Sequence, residues 1–327
     1  MPTNLPPDYF EVEKQYRAAK TPEEKVACIE EMLSIVPKHK GTDHLVGDLR
    51  RRLAKLRTAP RSKKGSGRRS AFHIDKEGAG QVCVVGAVNV GKSALVAALT
   101  HATPQVSAAP FTTWTPTPGM MPVEDIQIQL IDTPPLNADY VEPELFSLIR
   151  HADLLLLVVD LQAYPIQQIE DTVALLEQQR IIPAHRKAQY AGQRRLTFIP
   201  ALVVLNKADD EDLDGDVAVF CELFGDEWSI LPFSATTGRN CEMLKQSVFE
   251  RLEIIRIYAK PPGQPPDLSV PFVMQSGSTI HQFAISIHRD FETRLKAARV
   301  WGSAAHDGQM VGRDHVLQDG DVVELHV

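Results

Sequence analysis

Long apolar runs are absent from this sequence of 327 residues. Its longer apolar stretches, such as 154–159 and 199–205, are much shorter than the ~20 residues that a membrane-spanning helix needs. The first residues combine neither a basic start nor an apolar run, so we expect no secretory signal. These absences predict a cytoplasmic protein with no membrane contact.

Cysteine is scarce as well. The four cysteines are scattered along the chain: Cys28, Cys83, Cys221 and Cys241. They form no CxxC pair, and no histidine stands beside them at metal-ligand spacing. The pattern therefore argues against a disulfide framework or a zinc site and predicts four reduced thiols.

Basic residues are fewer than acidic residues overall, but they are concentrated in one segment. The formal net charge of -7 argues against a protein that coats nucleic acid with its whole surface. Residues 50–69 nevertheless contain ten basic residues and no acidic ones. Residues 59–79, rich in Lys, Arg, Ser and Gly at their start, are interpreted as a basic flexible linker. The basic run is either a solvated tether or a contact surface for phosphates.

The length suggests two or three domains. Residues 1–58 carry apolar side chains at helical spacing, with a helix start at Thr21 and Pro22, and are predicted to form a helical arm. The Pro-rich segment 259–266 is predicted to be a second linker, and 267–327 a separate small domain.

Between these segments, residues 80–258 have the pattern of an α/β domain. Helical stretches, such as 94–99 and 169–178, alternate with short apolar runs. The predicted strands are 81–86, 126–132, 154–160, 197–206 and 229–234. This alternation predicts a mostly parallel sheet wrapped by helices.

The first predicted strand runs directly into a phosphate-loop motif, GxxxxGK[ST]. Its residues are Gly86, Ala87, Val88, Asn89, Val90, Gly91, Lys92 and Ser93, followed by Ala94 in the predicted helix. The glycines let backbone N–H groups wrap phosphates, Lys92 supplies a positive charge, and the Ser93 hydroxyl can bind Mg²⁺. The next strand ends at Asp132, which is either a structural strand end or, given its order after the loop, a magnesium ligand.

A second motif is suited to bind the base of a nucleotide. Asn206, Lys207 and Asp209 form an NKxD pattern after an apolar strand. The Asp209 carboxylate can accept both the ring N–H and the exocyclic amine of guanine, which adenine does not offer, so ATP is disfavoured. Ser234 and Ala235 follow the next strand, where a backbone N–H can reach the guanine oxygen. The ordered set predicts a site for GTP or GDP with Mg²⁺.

With these motifs in place, the chain resembles the Obg branch of translation-associated GTPases, particularly the developmentally regulated GTP-binding proteins. The sequence 109–116 resembles the family switch PFTT, which implies that Thr113, with Thr112 as second choice, senses Mg²⁺ and the γ-phosphate. Segments 37–42 and 49–57 resemble the helical arm. Residues 267–327 look like a TGS domain, which implies a β-grasp fold. Only 46 positions separate Asp160 from Asn206, so we expect the family's inserted domain to be absent.

One position departs from the family pattern, and the next differs from Ras-like enzymes although a hydrophobic residue there is usual in the Obg branch. Pro135 replaces a glycine whose N–H contacts the γ-phosphate, and proline has no N–H. Leu136 stands where Ras-like enzymes carry a water-orienting glutamine, so no side chain is assigned as a base. Asn89 matches the asparagine of GTPases that use K⁺, or else stabilises a turn. The residues assigned to catalysis are Lys92, Thr113 and Asn89.

The sequence therefore leads to one hypothesis and one alternative. The hypothesis is a slow GTPase switch that acts on the ribosome or another RNA-containing partner through the basic run and the TGS domain. The alternative is a nucleotide-gated binding module with little or no hydrolysis. The basic loop 184–195 is read either as a solvated connection or as an RNA contact.

Overall fold

A computed structural model describes residues 12, 22–36, 72–100, 115–136, 141–304 and 306–326. Most of the predicted helical arm and basic linker, including the run 50–69, and the predicted switch residues Thr112 and Thr113 lie outside these described residues. The chain divides into two compact units, Met1–Arg68 and Arg69–Val327. In the first unit, helix α1 (Pro22–Ile35) begins at the predicted proline and buries Ile29 and Met32.

The second unit starts with a six-stranded sheet in the order β2-β3-β1-β4-β7-β8. Strands β1 (Gln81–Val85), β3 (Ile126–Asp132), β4 (Leu154–Asp160), β7 (Ala201–Asn206) and β8 (Ile230–Pro232) are parallel. Strand β2 (Thr117–Val123) pairs antiparallel with β3. This confirms the predicted α/β class, and the bounds of β3 and β4 agree with the prediction.

Helices cover both faces of this sheet because each parallel strand is apolar on both sides. On one face, odd-numbered residues of β4 such as Leu155 and Leu157 share a buried cluster with α3 (Pro143–Ile149), α4 (Pro165–Gln178) and α5 (Asp214–Phe224). On the other face, residues such as Leu156 pack with α2 (Lys92–Leu99) and α6 (Cys241–Arg251). The sheet is therefore a buried central layer, and polar residues such as Asp132, Asp160 and Asn206 lie at the ends of its strands.

The predicted strand 197–206 is in fact two short strands. Strand β6 (Thr197–Ile199) pairs with β5 (Ile181–Pro183) in a separate two-stranded sheet, and β7 begins after Pro200. Proline cannot donate to a sheet ladder, which is why the run breaks there. The predicted loop 184–195 contains a 3-10 helix, Ala184–Tyr190, whose Arg186 pairs with Glu177 and Glu227.

The second sheet has five strands in the order β10-β9-β13-β11-β12. They are β9 (Ile254–Ala259), β10 (Phe272–Gln275), β11 (Ala297–Trp301), β12 (Gln309–Val311) and β13 (Asp321–His326). Helix α7 (Ile280–Ile287) packs Phe283 into its core, and the short helix α8 (Phe291–Arg294) follows. A helix lying on one face of a small mixed sheet agrees with the predicted β-grasp.

The domain boundary predicted at 258 differs from the structure. Strand β9 lies before it, yet pairs antiparallel with β10 and parallel with β13. Its Ile257 is fully buried in the core of the second sheet. The C-terminal domain therefore begins at about Ile254, because the Pro-rich segment connects two strands of one sheet instead of separating two domains.

One arginine joins the two sheets. The Arg256 guanidinium donates to Asp319 in the C-terminal domain and to Asp125 in the β2–β3 turn, at 2.7 and 2.9 Å, and also contacts Glu124. Tyr258 donates its hydroxyl to Asp125 as well. Burial by itself would raise the pKa of Asp319 and Asp125, but hydrogen bonds from Arg256, and for Asp125 also from Tyr258, hold these pKa values below the ordinary range.

We predict that Arg256→Met lowers the free energy of unfolding by about 2 kcal/mol at neutral pH, because several carboxylates lose a charged donor. Carboxylates with a depressed pKa contribute stability above their ordinary pKa, and that contribution is lost as the pH falls through their folded values. The difference between wild type and variant should therefore shrink below about pH 4. Urea unfolding at several pH values measures it.

Lys245→Met provides the matched control, since it removes an exposed ion pair with Glu242 within α6. We expect a change below about 0.5 kcal/mol there. Equal effects of the two substitutions at neutral pH would contradict a special role for Arg256.

Candidate functional site

The phosphate-loop motif forms a tight turn between β1 and α2. Gly86 and Gly91 have φ of 154° and 92°. A Cβ on Gly86 would lie 2.3 Å from the Val158 carbonyl oxygen, so only glycine fits there. Asn89 is exposed with φ of 61°, a conformation that asparagine tolerates better than most residues. This conformation explains an asparagine at the turn and leaves its side chain accessible to solvent.

Lys92 lies at the first turn of α2 and is almost fully buried, with 6% of its surface exposed. Its Nζ donates to the carbonyls of Gly86 and Ala87 at 3.1 and 2.7 Å, within its own loop. Burial lowers the pKa of Lys92 to about 8, although the Asp132 carboxylate opposes this shift. A buried amine is strongly attracted to an anion because water screens it little.

Ser93 and Asp132 meet at the end of β3. The Ser93 hydroxyl donates to one Asp132 oxygen at 2.6 Å, and the other oxygen, Oδ1, is buried without a hydrogen-bond partner. Burial raises the pKa of Asp132, while the Ser93 hydrogen bond and the Lys92 charge lower it. An orphaned carboxylate oxygen beside a hydroxyl is the donor set that Mg²⁺ binds, so these residues fit the ion.

Asn206 connects the phosphate loop to the base-reading motif. It ends β7, is 2% exposed, and donates from Nδ2 to the Val90 carbonyl at 2.8 Å. A Cβ on Gly91 would lie 2.3 Å from this same Nδ2. Asn206 Oδ1 is buried without a partner. The loop and the motif, distant in sequence, therefore touch directly.

The other base-motif residues are held by neighbours at the same sheet edge. Lys207 has φ of 65°, and its Nζ contacts the buried Asp160 carboxylate. Asp209 accepts a hydrogen bond from the Ser234 hydroxyl at 2.6 Å. The Ser234 hydroxyl oxygen also accepts from the Thr237 backbone N–H at 3.0 Å. Ala235, next in the chain, packs at the edge of a buried cluster.

The segment after Asp132 is fixed to the loop by its backbone. Thr133 donates its hydroxyl to the Val84 carbonyl at 2.7 Å, and the Leu136 N–H donates to the Gly86 carbonyl at 3.1 Å. The Leu136 side chain is 3% exposed and lies in the core cluster. It therefore faces the core and not the solvent, whereas Pro134 and Pro135 are half-buried.

Three supporting residues were missed in the sequence analysis. Asp160 holds Lys207, Gln162 donates to the Lys207 carbonyl at 3.0 Å, and Arg239 donates to the Ala208 and Asp210 carbonyls. Asp160 had a usable signal, since it ends a predicted parallel strand at the same edge as Asp132. Arg239 had none, because its partners lie far away in the sequence.

Apart from Thr113, which lies outside the described residues, every sequence-predicted site residue lies at one edge of the sheet. The edge offers a glycine loop and buried amine for phosphates, an orphaned carboxylate oxygen for Mg²⁺, and a carboxylate for a base. Among the residues described, no helix is long and apolar enough to cross a membrane, and none of the four cysteines is in a disulfide.

The comparisons with known proteins define the class. The family model described as "50S ribosome-binding GTPase" matches residues 81–207, and the TGS domain model matches residues 255–327. The fold resembles the YchF GTPase of Schizosaccharomyces pombe, with a TM-score of 0.55, 14% identity, and coverage of 78% of this chain and 100% of the other. These matches define a P-loop GTPase with a TGS domain.

Relatives over nearly the whole chain define the family. A GTP-binding protein of Methanocaldococcus jannaschii, itself described as uncharacterized, is 33% identical over 93% of this chain and 92% of its own length. Developmentally-regulated GTP-binding protein 1 of Xenopus laevis is 29% identical over 92% and 98%. The chain belongs to this family of developmentally regulated GTP-binding proteins and their relatives. The first alignment spans 364 positions, so the relative carries segments that this chain lacks.

We predict that Gly91→Ala reduces GDP affinity more than tenfold, because the new Cβ would collide with Asn206 and displace either the loop or the base motif. Gly192→Ala is the matched control: Gly192 has a similar φ of 89°, but a Cβ there meets nothing within 4 Å. Both variants bear the backbone strain of about 1–2 kcal/mol. Titration with a fluorescent GDP analogue and thermal unfolding compare them, and similar losses of affinity in both variants would contradict the steric explanation.

Proposed function

We propose that this GTP-binding protein is a slow GTPase switch that acts on the ribosome or another structured RNA. Membership of the family supports GTP hydrolysis in general. The observation that carries the proposal is the joined site edge, where Asn206 ties the base motif to the phosphate loop. A guanine nucleotide that binds at this edge would contact both motifs at once.

The residues have distinct proposed roles. Lys92 and the loop N–H groups hold the phosphates, while Ser93 and Asp132 hold Mg²⁺, with Thr113 as the third ligand and γ-phosphate sensor. Mg²⁺, when bound, neutralises charge on the phosphate oxygens. Asn206, Lys207 and Asp209 select guanine, and the Ala235 N–H reaches its oxygen. Ser234 supports this selection by orienting the Asp209 carboxylate.

Slow hydrolysis is expected from the segment that follows Asp132. The Leu136 side chain has no hydrogen-bonding group with which to orient water, and it is buried. In the absence of a general base, stabilisation of charge on the phosphates must lower the barrier. We assign this role to Lys92, Thr113 and a K⁺ ion held near Asn89, whose side chain is exposed at the loop.

We predict that phosphate release is at least about tenfold faster in potassium than in sodium buffer, corresponding to about 1.4 kcal/mol of barrier. Asn89→Gly should abolish the difference, since it removes the amide and keeps a residue that tolerates the φ of 61°. Single-turnover hydrolysis in matched salts measures this.

GDP affinity is the internal control for the Asn89→Gly variant, and it should remain within about twofold of wild type because the backbone turn is preserved. Equal wild-type rates in both salts would leave Asn89 as a turn residue only.

A nucleotide-gated binding module with little hydrolysis is the second candidate function. The observation in its favour is the combination of Pro135, which has no N–H, with the buried Leu136. Under this alternative, GTP and GDP would bind and alter partner affinity while phosphate release stayed near the rate in buffer. The hydrolysis measurement above separates the two candidates.

The RNA partner is proposed on charge and on domain content. The basic run 50–69 offers ten cations, and the matching family description names a 50S ribosome-binding GTPase. A second contact by the TGS domain would strengthen the first through effective concentration. The proposal places the protein in the cytoplasm, where ribosomes are, and involves no membrane.

We predict that the protein sediments with ribosomes in a salt-sensitive manner and more strongly with a GTP analogue than with GDP. Substituting the ten basic residues of 50–69 with glutamine should weaken sedimentation and flatten its salt dependence, because fewer counterions are released. Quantified pelleting across a salt series, with each nucleotide, measures both effects.

Arg194→Gln with Arg195→Gln is the control for this experiment, since both side chains are exposed in the basic segment after the 3-10 helix. Unchanged sedimentation of this double variant identifies that segment as a solvated connection. No sedimentation of wild type at low salt would overturn the ribosome as the partner.

A further inference from the structure

A surface cavity in the TGS domain is lined by five residues, four of which are polar or basic. It has a volume of about 470 Å³ and lies between the end of α8, the start of β11 and the segment after β12. Its lining residues are Thr293, Arg294, Leu295, Lys296 and Arg313. Three of the five are cations, and none is acidic.

Among the described residues, these three cations have no carboxylate partner. Within the described part of the chain, no ion pair within 4 Å involves Arg294, Lys296 or Arg313, whereas Arg256 and Lys260 in the same domain are both paired. The nearby acids Glu292 and Asp314 are exposed and do not line the cavity. Converging unpaired cations repel one another, so the cavity is suited to an anion.

Arg313 is oriented in advance. Its Nε donates to the Leu295 carbonyl at 2.8 Å, and Nη2 contacts the same oxygen, although Leu295 itself is fully buried. Nη1 remains for a ligand, and the guanidinium is fixed by two contacts instead of sampling many rotamers. For Lys296 only the backbone is fixed, because its N–H donates to the His326 carbonyl at 2.9 Å, and the residue is exposed.

We propose that this cavity binds backbone phosphates of RNA and is the point at which the TGS domain contacts its RNA partner. The inference rests on the RNA partner of the proposed function and names the site within the chain. A fixed guanidinium suits phosphate oxygens, and the Lys and second Arg supply further charge. RNA is favoured over an acidic peptide because four of the five lining residues are polar or basic, and the fifth, Leu295, is fully buried.

The test uses full-length protein and a fluorescein-labelled RNA hairpin, with binding followed by anisotropy across a potassium chloride series. Arg294→Gln with Lys296→Gln should weaken binding by about tenfold at low salt and reduce the slope of log affinity against log salt by about 1.5, as expected for two lost phosphate contacts. These residues are exposed, so the double variant should unfold at the wild-type temperature, which reports on the TGS domain, and keep wild-type GDP affinity, which reports on the nucleotide domain.

Arg289→Gln with Arg299→Gln is the matched control, since it removes the same charge from exposed positions of the domain that do not line the cavity. A smaller effect of this control supports the cavity as the site. Equal effects of the two double variants, or no effect of either, would overturn it while leaving an RNA partner in place. Arg313→Lys keeps the charge but loses the fixed fork, so an intermediate loss further supports the site.

Two further arms distinguish other anions. Inorganic phosphate at millimolar concentration should compete only weakly with the hairpin for the cavity. A single phosphate ion cannot contact all three cations at once, whereas the linked phosphates of an RNA backbone can. Polyglutamate that binds more tightly than the hairpin, with the same dependence on Arg294 and Lys296, would overturn RNA as the ligand. Wild type that binds no RNA would overturn both this inference and the RNA partner of the proposed function, while GDP binding would remain intact.

Discussion

The contact between Gly91 and Asn206 is the constraint on which the nucleotide site depends. Asn206 holds the loop through the Val90 carbonyl, and the loop can approach only because residue 91 has no Cβ. The proposed phosphate and base contacts therefore lie at one edge and touch each other. The buried Lys92 and the orphaned Asp132 oxygen beside this contact would each destabilise a site of purely structural function, which favours their proposed roles as ligand groups.

A second constraint joins the nucleotide domain to the TGS domain. The β2–β3 turn bears Asp125, which accepts from both Arg256 and Tyr258. Strand β3 leads from this turn to Asp132, while β2 follows the segment that includes Thr113. The two domains are thus connected at the β2–β3 hairpin, which lies between Thr113 and Asp132 in the sequence, as well as through the chain at β9. Any displacement of that hairpin must carry Arg256 along or break its hydrogen bonds.

Much of the fold was predictable because local patterns determine it. Buried parallel strands are continuous apolar runs, and β3 and β4 were predicted with their observed bounds. The break at Pro200 was missed because an apolar run continues through it. Strand β9 was assigned to the wrong domain because strand pairing is nonlocal, so the sequence of a strand does not indicate which strand it pairs with. Motif spacing located the site residues, but the roles of Asp160 and Arg239 depend on contacts that only the folded chain creates.

Pro135, which departs from the family pattern, and the adjacent Leu136 act together. Leu136 packs its side chain into the core and donates its N–H to the Gly86 carbonyl, so the segment after Asp132 is held by both its side chain and its backbone at this residue. Pro135 removes the adjacent N–H and fixes its own φ. A glycine at 135 would supply mobility that the anchored Leu136 could not follow without leaving the core. Nucleotide sensing in this chain is therefore expected to depend on Lys92 and on the segment before β2, and less on the residues after Asp132.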